Sequence, residues 1–517
     1  MTLTALGASL NIANGVREFA RATPRATAVV DGERTWTYAR LAERSARWAN
    51  ALIDLGLADG AHVAVCVGNR GEHLEVACGT AMAAMTTVPV NPRYTATEAG
   101  YVIEHSETAA VVVEAALLDV VTPAASARGI PMIVIGDGAP GRTVDGGVVQ
   151  DYETVLAAAS PLDPHRPVEE SDPFSIAYTS GTTGRPKGVM ISHRSRTLTF
   201  YQAAAEWGLG NGRVSLAVAP LYHGAGFAFG YAPVFTGGTV VMLRAWSPEA
   251  MLDLTERHGV QSVFLVPAHA QMLRSLGEEA IAARDLSRLD TLYFNAAALP
   301  WGLKQWVMAT FPGVAVHELY GSTESGIISN LRPPDAARKP GSVGLPWYMT
   351  ETRVIGHDGA EVGPGGTGEL FSRSPYLMRG YFKDPDATAA CTTEDGFVTC
   401  GDLVRLDEEG YLHIVGRTKD MIVSGGVNVY PREIEDVLAT HPDVMEACVL
   451  GVESRTWGEE VAAVVVMAPG RELDTDALDA HCRTSLAGFK VPRRWSTIEA
   501  LPRNAAGKVV KRDVPLP

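Results

Sequence analysis

The chain has 517 residues, with 44 Lys+Arg against 59 Asp+Glu and a formal net charge of −15. At roughly 100–200 residues per domain, this length holds more than one folding unit. With 46% hydrophobic and 20% charged residues, wholesale disorder is excluded, and the acidic balance argues against a nucleic-acid partner.

The N-terminal MTLTALGASLNIANG has no basic stretch leading into an apolar one, so no secretory signal is expected. HVAVCVG (62–68) reads as a buried strand, followed by a helix over EHLEVACGTAMAAM (72–85) with small residues on its apolar face. TVPV (87–90) is a strand, TEAGYVIEHS (97–106) a helix and AAVVVEA a further strand. QSVFLVP (261–267) and TLYFNAA (291–297) read as inner strands. This rhythm predicts an α/β fold with parallel sheets and helices on their faces. Turn residues dominate 356–368, GHDGAEVGPGGTG, which predicts a loop between shorter strands. EGYLHIVGR (409–417) reads as a strand ending in a turn. Beyond it come a helix at VYPREIEDVLATHP, strands at DVMEACVLGVES and EEVAAVVVMAP, and a helix near LDTDALDAHCRTSLA. That is enough for a small α+β domain, so the expected division is 1–417 and 418–517. No apolar run of about 18 residues is present, so no membrane span is expected. The six cysteines, at 66, 78, 391, 400, 448 and 482, form no CxxC pair. Neither a zinc site nor a disulfide framework is suggested, and a reducing, cytoplasmic setting is the expectation.

Residues 178–190 read YTSGTTGRPKGVM after the apolar FSIAY. A strand feeding a Ser/Thr/Gly loop with one Lys suits phosphate: amides approach closely, hydroxyls donate and Lys187 adds positive charge. It is not a Walker loop, since GxxxxGK[ST] is not matched. On composition alone, a flexible polar surface loop is the other reading.

This loop resembles the signature of the adenylate-forming superfamily, which comprises acyl-CoA synthetases, adenylation domains and luciferase-like enzymes. Further stretches match in the family's order: PLYHGAGF (220–227), LYGSTES (319–325), GSVGLP (341–346), GEL (368–370), GD (401–402), GRTKDMIVSGGVNVYPREIE (416–435) and LPRNAAGK (501–508). The resemblance implies a large N-terminal domain of stacked sheets and a small mobile C-terminal domain. It also implies a two-step reaction. A carboxylate attacks the α-phosphorus of ATP to give an acyl-adenylate and pyrophosphate; after domain rotation a thiol or amine displaces AMP.

The resemblance implies the following roles. Thr179, Ser180, Gly181, Thr182, Thr183, Gly184 and Lys187 would hold the β- and γ-phosphates. Glu324, with Thr183, would hold Mg²⁺, which offsets charge on phosphate oxygens. Tyr320 would stack on adenine, with Gly321, Thr323, Ala297 and Ala298 also at the nucleotide. Asp402 and Arg417 would face the ribose hydroxyls; Cys400 stands where the family commonly has Thr. Lys508 would bridge the carboxylate and the α-phosphate, its ammonium stabilising the charge that builds on phosphorus. Lys419 occupies the hinge position, and Gly425 and Gly426 would approach the incoming nucleophile.

By the same resemblance, the acyl pocket would be lined by Tyr201, near Phe200, by His223, Gly226 and Phe227, and by Val266, Asn295 and Ala296. The small residues of HGAGFA leave room for more than acetate. No Asp or Lys stands among these positions, which disfavours a free amino acid and favours an apolar carboxylic acid. Ala296 replaces a glycine common in the family, which would shorten or reshape the channel. His223 gates the pocket or acts as a base, since its ordinary pKa lies near the working pH; read alone, it is a core histidine. The leading expectation is an acyl-CoA synthetase using ATP, Mg²⁺ and CoA, with Lys490, Arg493 and Arg494 offering charge to CoA phosphates. The alternative is an ATP-dependent amide-bond synthetase in which an amine takes the acyl group and His223 is the base. A catalytically dead nucleotide-binding module is a third reading; the presence of Lys187, Glu324, Asp402, Arg417 and Lys508 speaks against it.

Overall fold

The computed structural model describes residues 9–136, 149–179, 185–425, 427–503 and 509–517. The β–α–β rhythm becomes a parallel centre. His62–Cys66 lies between Thr86–Pro89 and Ala110–Glu114, with Met132–Ile135 beyond, all parallel. Their continuous apolar runs fit strands covered on both faces. This sheet has eight strands among the described residues and ends at Pro173–Thr179, Lys187–Ser192 and the short Gly380–Tyr381. A second sheet of nine strands runs through Thr27–Asp31, Val214–Ala217, Ser262–Leu265, Thr291–Phe294 and Ala315–Ser322.

The two sheets stack with a layer of helices between them. Val63 and Val65 of one sheet and Val29 and Val240 of the other belong to one buried cluster. The helix Gly71–Met82 lies in that layer and every residue of it is buried. It carries Glu72 and Glu75 inside, where burial without a partner would be costly. Arg34 and Arg70 bind Glu72, while Arg44, Tyr152 and Trp36 donate to Glu75. At Gly79 a methyl would fall 2.3 Å from the Ser45 carbonyl oxygen, so glycine lets the helix Tyr38–Asp54 approach. The outer faces are covered by Ala96–His105 and Leu118–Arg128 on one side and by Pro248–His258 and Trp301–Thr310 on the other.

A four-stranded antiparallel sheet follows: Glu351–Ile355, Thr367–Arg373, Val398–Leu406 and Leu412–Arg417. The Gly-rich stretch 356–366 loops between its first two strands. The last sheet has its own core around Ile434, Val449, Val461 and Leu478. Its long hairpin, Val444–Ser454 with Gly458–Met467, and its helices Pro431–Leu438 and Thr475–Arg483 match the sequence reading. Two features were not read from the sequence: the hairpin Ile422–Ser424 with Val427–Val429, and the strand Arg494–Thr497 parallel to Gly458–Met467. The chain is thus a mixed α/β protein with a large N-terminal portion and a smaller C-terminal sheet portion. No helix among the described residues is long and apolar enough to cross a membrane. All six cysteines are unbridged.

Candidate active site

The signature loop connects two antiparallel strands, with Thr179 opposite Lys187 at the open end of the hairpin. Residues 180–184, the core of the expected phosphate cradle including Thr183, lie outside the described residues, as do Gly426 and Lys508. Lys187 sits with its Nζ 3.8 Å from Asp384 and 5.0 Å from the centre of the Tyr381 ring. The Tyr381 hydroxyl donates to Glu324 Oε1 at 3.1 Å. Burial and the adjacent Glu324 charge raise the Tyr381 pKa, so the phenol keeps its proton and remains a donor. Tyr381 is placed by backbone pairing: Gly380–Tyr381 lies antiparallel to Val189–Met190, just past Lys187. The carbonyl of Glu324 accepts from the Met378 amide at 2.7 Å, which joins the Glu324 turn to the same segment.

Sequence reasoning missed Tyr381. Its signal was the run MRGYF at 378–382, a glycine and aromatic pair after a turn, but nothing local ties it to Lys187 or Glu324.

A second cluster lies at the other end of the 320–324 segment. Asp402 is buried, with Oδ2 accepting from the Tyr320 hydroxyl at 2.7 Å and Oδ1 from Arg417 Nε at 2.8 Å. Asp402 and Arg417 face each other across neighbouring strands, so register sets the pair. At Gly321 a methyl would fall 2.0 Å from the Gly326 carbonyl oxygen, so the close return of Gly326–Leu331 requires glycine there. Cys400 donates to Ser322 Oγ at 2.8 Å, and burial pushes its thiol up to about 12. It is therefore a neutral packing group against the YGSTES loop. Glu369, in GEL, accepts from Thr399 at 2.7 Å and Thr418 at 3.2 Å. It ties the Asp402 strand to the exposed turn Thr418–Asp420 that carries Lys419. Gly425 has φ +59 and a methyl there would meet the Trp457 ring at 2.8 Å, so both conformation and space call for glycine.

The expected acyl-pocket residues separate into three groups. His223 precedes the helix Gly224–Phe235 and lines a cavity with Phe227, which stacks on Phe174 at 5.6 Å. Gly226 does not open space for a ligand: a methyl there would lie 2.0 Å from the Pro220 carbonyl oxygen, so its role is close packing of the helix. Tyr201 is about half exposed, its ring edge-on to Phe235 at 5.2 Å. On the helix His193–Trp207, positions 196, 200, 203 and 207 share the inward face, and 201 is turned away from it. Tyr201 is thus removed from the cavity lining. Val266, Asn295 and Ala296 follow the strand ends Leu265 and Phe294, with Ala296, Ala297 and Ala298 exposed. Ala296 has φ +73, a region that favours glycine, and its amide is held by Asn295 Oδ1 at 2.6 Å.

The space between Gly224–Phe235 and the strand ends is filled by rings. Trp207 stacks on Phe229 at 5.6 Å and on Trp347 at 5.4 Å, and Phe229 stacks on Phe264 at 4.5 Å.

Two of the cations expected at CoA phosphates are already paired. Lys490 donates to Glu433 at 2.7 and 2.6 Å, and Arg494 to Glu460 at 2.5 Å. Arg493 lies over the Trp457 ring at 4.5 Å.

A family model described as AMP-binding enzyme matches residues 16–382, and one described as AMP-binding enzyme C-terminal domain matches 433–508. The chain belongs to the AMP-binding enzyme family. A feruloyl-CoA synthase from an Amycolatopsis species is 36% identical over 500 residues, covering 96% of this chain and 96% of the relative. Among solved structures, the amide bond synthetase McbA from Marinactinospora thermotolerans is similar with a TM-score of 0.86 and 29% identity, over 97% of this chain and 98% of that one. The ATP-bound MatB from Rhodopseudomonas palustris is similar with a TM-score of 0.87 and 30% identity, over 97% and 98% respectively. This chain is therefore an adenylate-forming ligase by family. Tyr320, Asp402 and Arg417 form one cluster, Lys187 and Glu324 meet through Tyr381, and both clusters border the 320–324 segment of that ligase.

Proposed function

We propose that this chain activates a carboxylic acid of largely apolar body with ATP, giving an acyl-adenylate and pyrophosphate, and then passes the acyl group to CoA. The observation that carries the nucleotide half is the buried Asp402, oriented by Tyr320 and Arg417. A fixed, buried carboxylate is a pre-oriented acceptor for ribose hydroxyls. At the hairpin mouth, Lys187 supplies the phosphate-facing charge. Glu324 fits a magnesium ion: one oxygen is taken by Tyr381 and the other has no partner among the described residues. Mg²⁺ is held through one or two carboxylates plus phosphate oxygens, so a single acidic side chain suffices. When bound, the ion neutralises phosphate charge. Lys508 is assigned the bridge between carboxylate and α-phosphate. Residues 1–417 and 418–517 are taken as the two bodies that rotate about Lys419, bringing Gly425 and Gly426 to the acceptor. Small-molecule acids, a thiol or amine acceptor and a cytoplasmic setting belong to the same proposal.

The similarity to feruloyl-CoA synthase supports CoA as acceptor. The similarity to an amide bond synthetase supports an amine, as does His223 lining the cavity at the helix start, where a base would be needed. CoA is preferred because a thiol reacts near neutral pH without a dedicated base. The test is mass spectrometry of products from ATP, Mg²⁺ and a panel of acids, with CoA or with amines. A thioester formed only with CoA supports the proposal. An amide formed without CoA replaces it with the amine reading, and no adenylate from any acid overturns both.

A further inference from the structure

The helix His193–Trp207 places Arg196 on its inward face, in the wall of the cavity shared with His223 and Phe227. Its surroundings are unusual for an arginine. Nε is buried and has no hydrogen-bond partner among the described residues. Among the described residues the guanidinium makes one long contact, Nη1 to the Gly224 carbonyl at 3.5 Å, and lies 5.8 Å from the centre of the Phe174 ring. No carboxylate among the described residues is within ion-pair distance. Elsewhere inside the protein, buried charge is answered: Glu75 has Arg44 and Glu318 has Lys304. Burial alone holds the Arg196 guanidinium down to about 10, with no acidic neighbour to raise it.

The rest of the cavity supplies no negative charge. Val65, Ala77, Phe174, Leu221 and Phe227 make it apolar. His73 is buried, its Nδ1 directed at the Val67 carbonyl, and burial holds it down to about 4, so it is neutral near pH 7. Thr87 donates to the Phe174 carbonyl. A half-buried cation whose Nε is buried without a partner among the described residues, in an otherwise apolar cavity, can accept an anion there.

The proposed reaction offers three anions: a phosphate of ATP, the reacting carboxylate, which must sit at the α-phosphorus it attacks, and a second acidic group on the acid. The cavity meets the phosphate hairpin at Ser175, Ala177 and Ile191, two to four residues below the Thr179–Lys187 mouth. At about 3.3 Å per residue, that is roughly 7–13 Å from the loop. From these positions we infer that Arg196 is a specificity-determining residue that pairs with a second anionic group, a carboxylate or sulfonate, at the end of the acid remote from the reacting carboxylate. This rests on the proposed acid-activating function and narrows its substrate: an apolar body with an acid at each end. A guanidinium presents two parallel donors, the geometry a carboxylate accepts.

The experiment pairs acids of equal length: octanoate with octanedioate, and 3-phenylpropanoate with 3-(4-carboxyphenyl)propanoate. Acid-dependent pyrophosphate exchange is measured for the wild type, Arg196→Met and Arg196→Lys. The expected result is a wild-type preference for at least one diacid of about tenfold or more in kcat/KM. Arg196→Met abolishes or reverses it with KM for ATP unchanged, and Arg196→Lys keeps part of it. An equal mono- to diacid ratio in wild type and Arg196→Met overturns the inference. So does a rise in KM for ATP with no change in acid preference, which assigns the cation to phosphate. If no acid of either kind supports exchange, the functional proposal fails, and direct binding decides the inference separately. Diacids must then raise the melting temperature of the wild type but not of Arg196→Met; equal shifts in both refute it.

Discussion

Replacing Tyr381 by Phe tests whether the Lys187–Tyr381–Glu324 chain positions the nucleotide site. The substitution deletes one hydroxyl and keeps the ring over which Lys187 lies. The lost interaction is a phenol donating to a carboxylate at 3.1 Å. Hydrogen bonds to charged groups contribute about 1.5–3 kcal/mol, and this one is long for an O–H···O contact, so the lower end applies. About 1.5 kcal/mol corresponds to roughly tenfold in kcat/KM. The assay is pyrophosphate exchange at varied ATP with saturating acid. The reasoning expects kcat/KM for ATP to fall about tenfold, KM for the acid to stay constant and the urea midpoint to move little. A change below about twofold would show that Glu324 needs no orientation from Tyr381. An equal loss for both substrates would mean that the strand Gly380–Tyr381 had been disturbed, not the carboxylate.

Other outcomes follow from single features. Ala296→Gly removes a left-handed alanine that costs about 1–2 kcal/mol, against about 0.4–1 kcal/mol from the looser unfolded chain. Its urea stability should hold or rise by up to about 1.6 kcal/mol, and a clear loss would contradict the strain argument. Gly226→Ala forces a methyl onto the Pro220 carbonyl and should destabilise by about 1–3 kcal/mol, whereas at Gly224 the nearest atom to an added methyl is Arg196 Nη2 at 3.8 Å, so Gly224→Ala should fold normally. Equal melting temperatures for the two variants would refute that contrast. Lys508→Ala should lower adenylate formation by on the order of 10²–10³ without changing the melting temperature; an unaffected exchange rate would remove Lys508 from the mechanism. Acid should loosen the fold before carboxylates titrate. Burial holds His73 and His269 down to about 4 and His193 to about 3, and His193 Nδ1 accepts from the Ile12 amide. The unfolded chain takes up these protons near 6.5 and the folded one only near 3 to 4, so stability is lost as pH falls through that window. Urea midpoints at pH 7.5 and 5 should differ in that direction; equal midpoints would show that these imidazoles are protonated in the folded state.

Much of this protein was legible in its residue order. Strand and helix periods at 62–114 depend on local apolar pattern, so the parallel βαβ core followed directly. The motif residues Lys187, Glu324, Asp402 and Arg417 stood out because their neighbours repeat a family's local signature. The sequence by itself therefore determined the α/β class and the adenylate-forming family, and it supplied the candidate nucleotide-handling residues. Only tertiary structure decided which of these residues touch. Tyr381 reaches Glu324 across 57 positions because a two-residue strand pairs beside Lys187. Tyr201 leaves the cavity and Arg196 enters it because a helix turns 100° per residue and only one face points inward. Gly226 reads as pocket space in one dimension and proves to be packing space, because the Pro220 carbonyl comes from outside its helix. Contacts between distant segments, and the burial that leaves a charge without its partner, depend on how elements pack, and no local pattern encodes that.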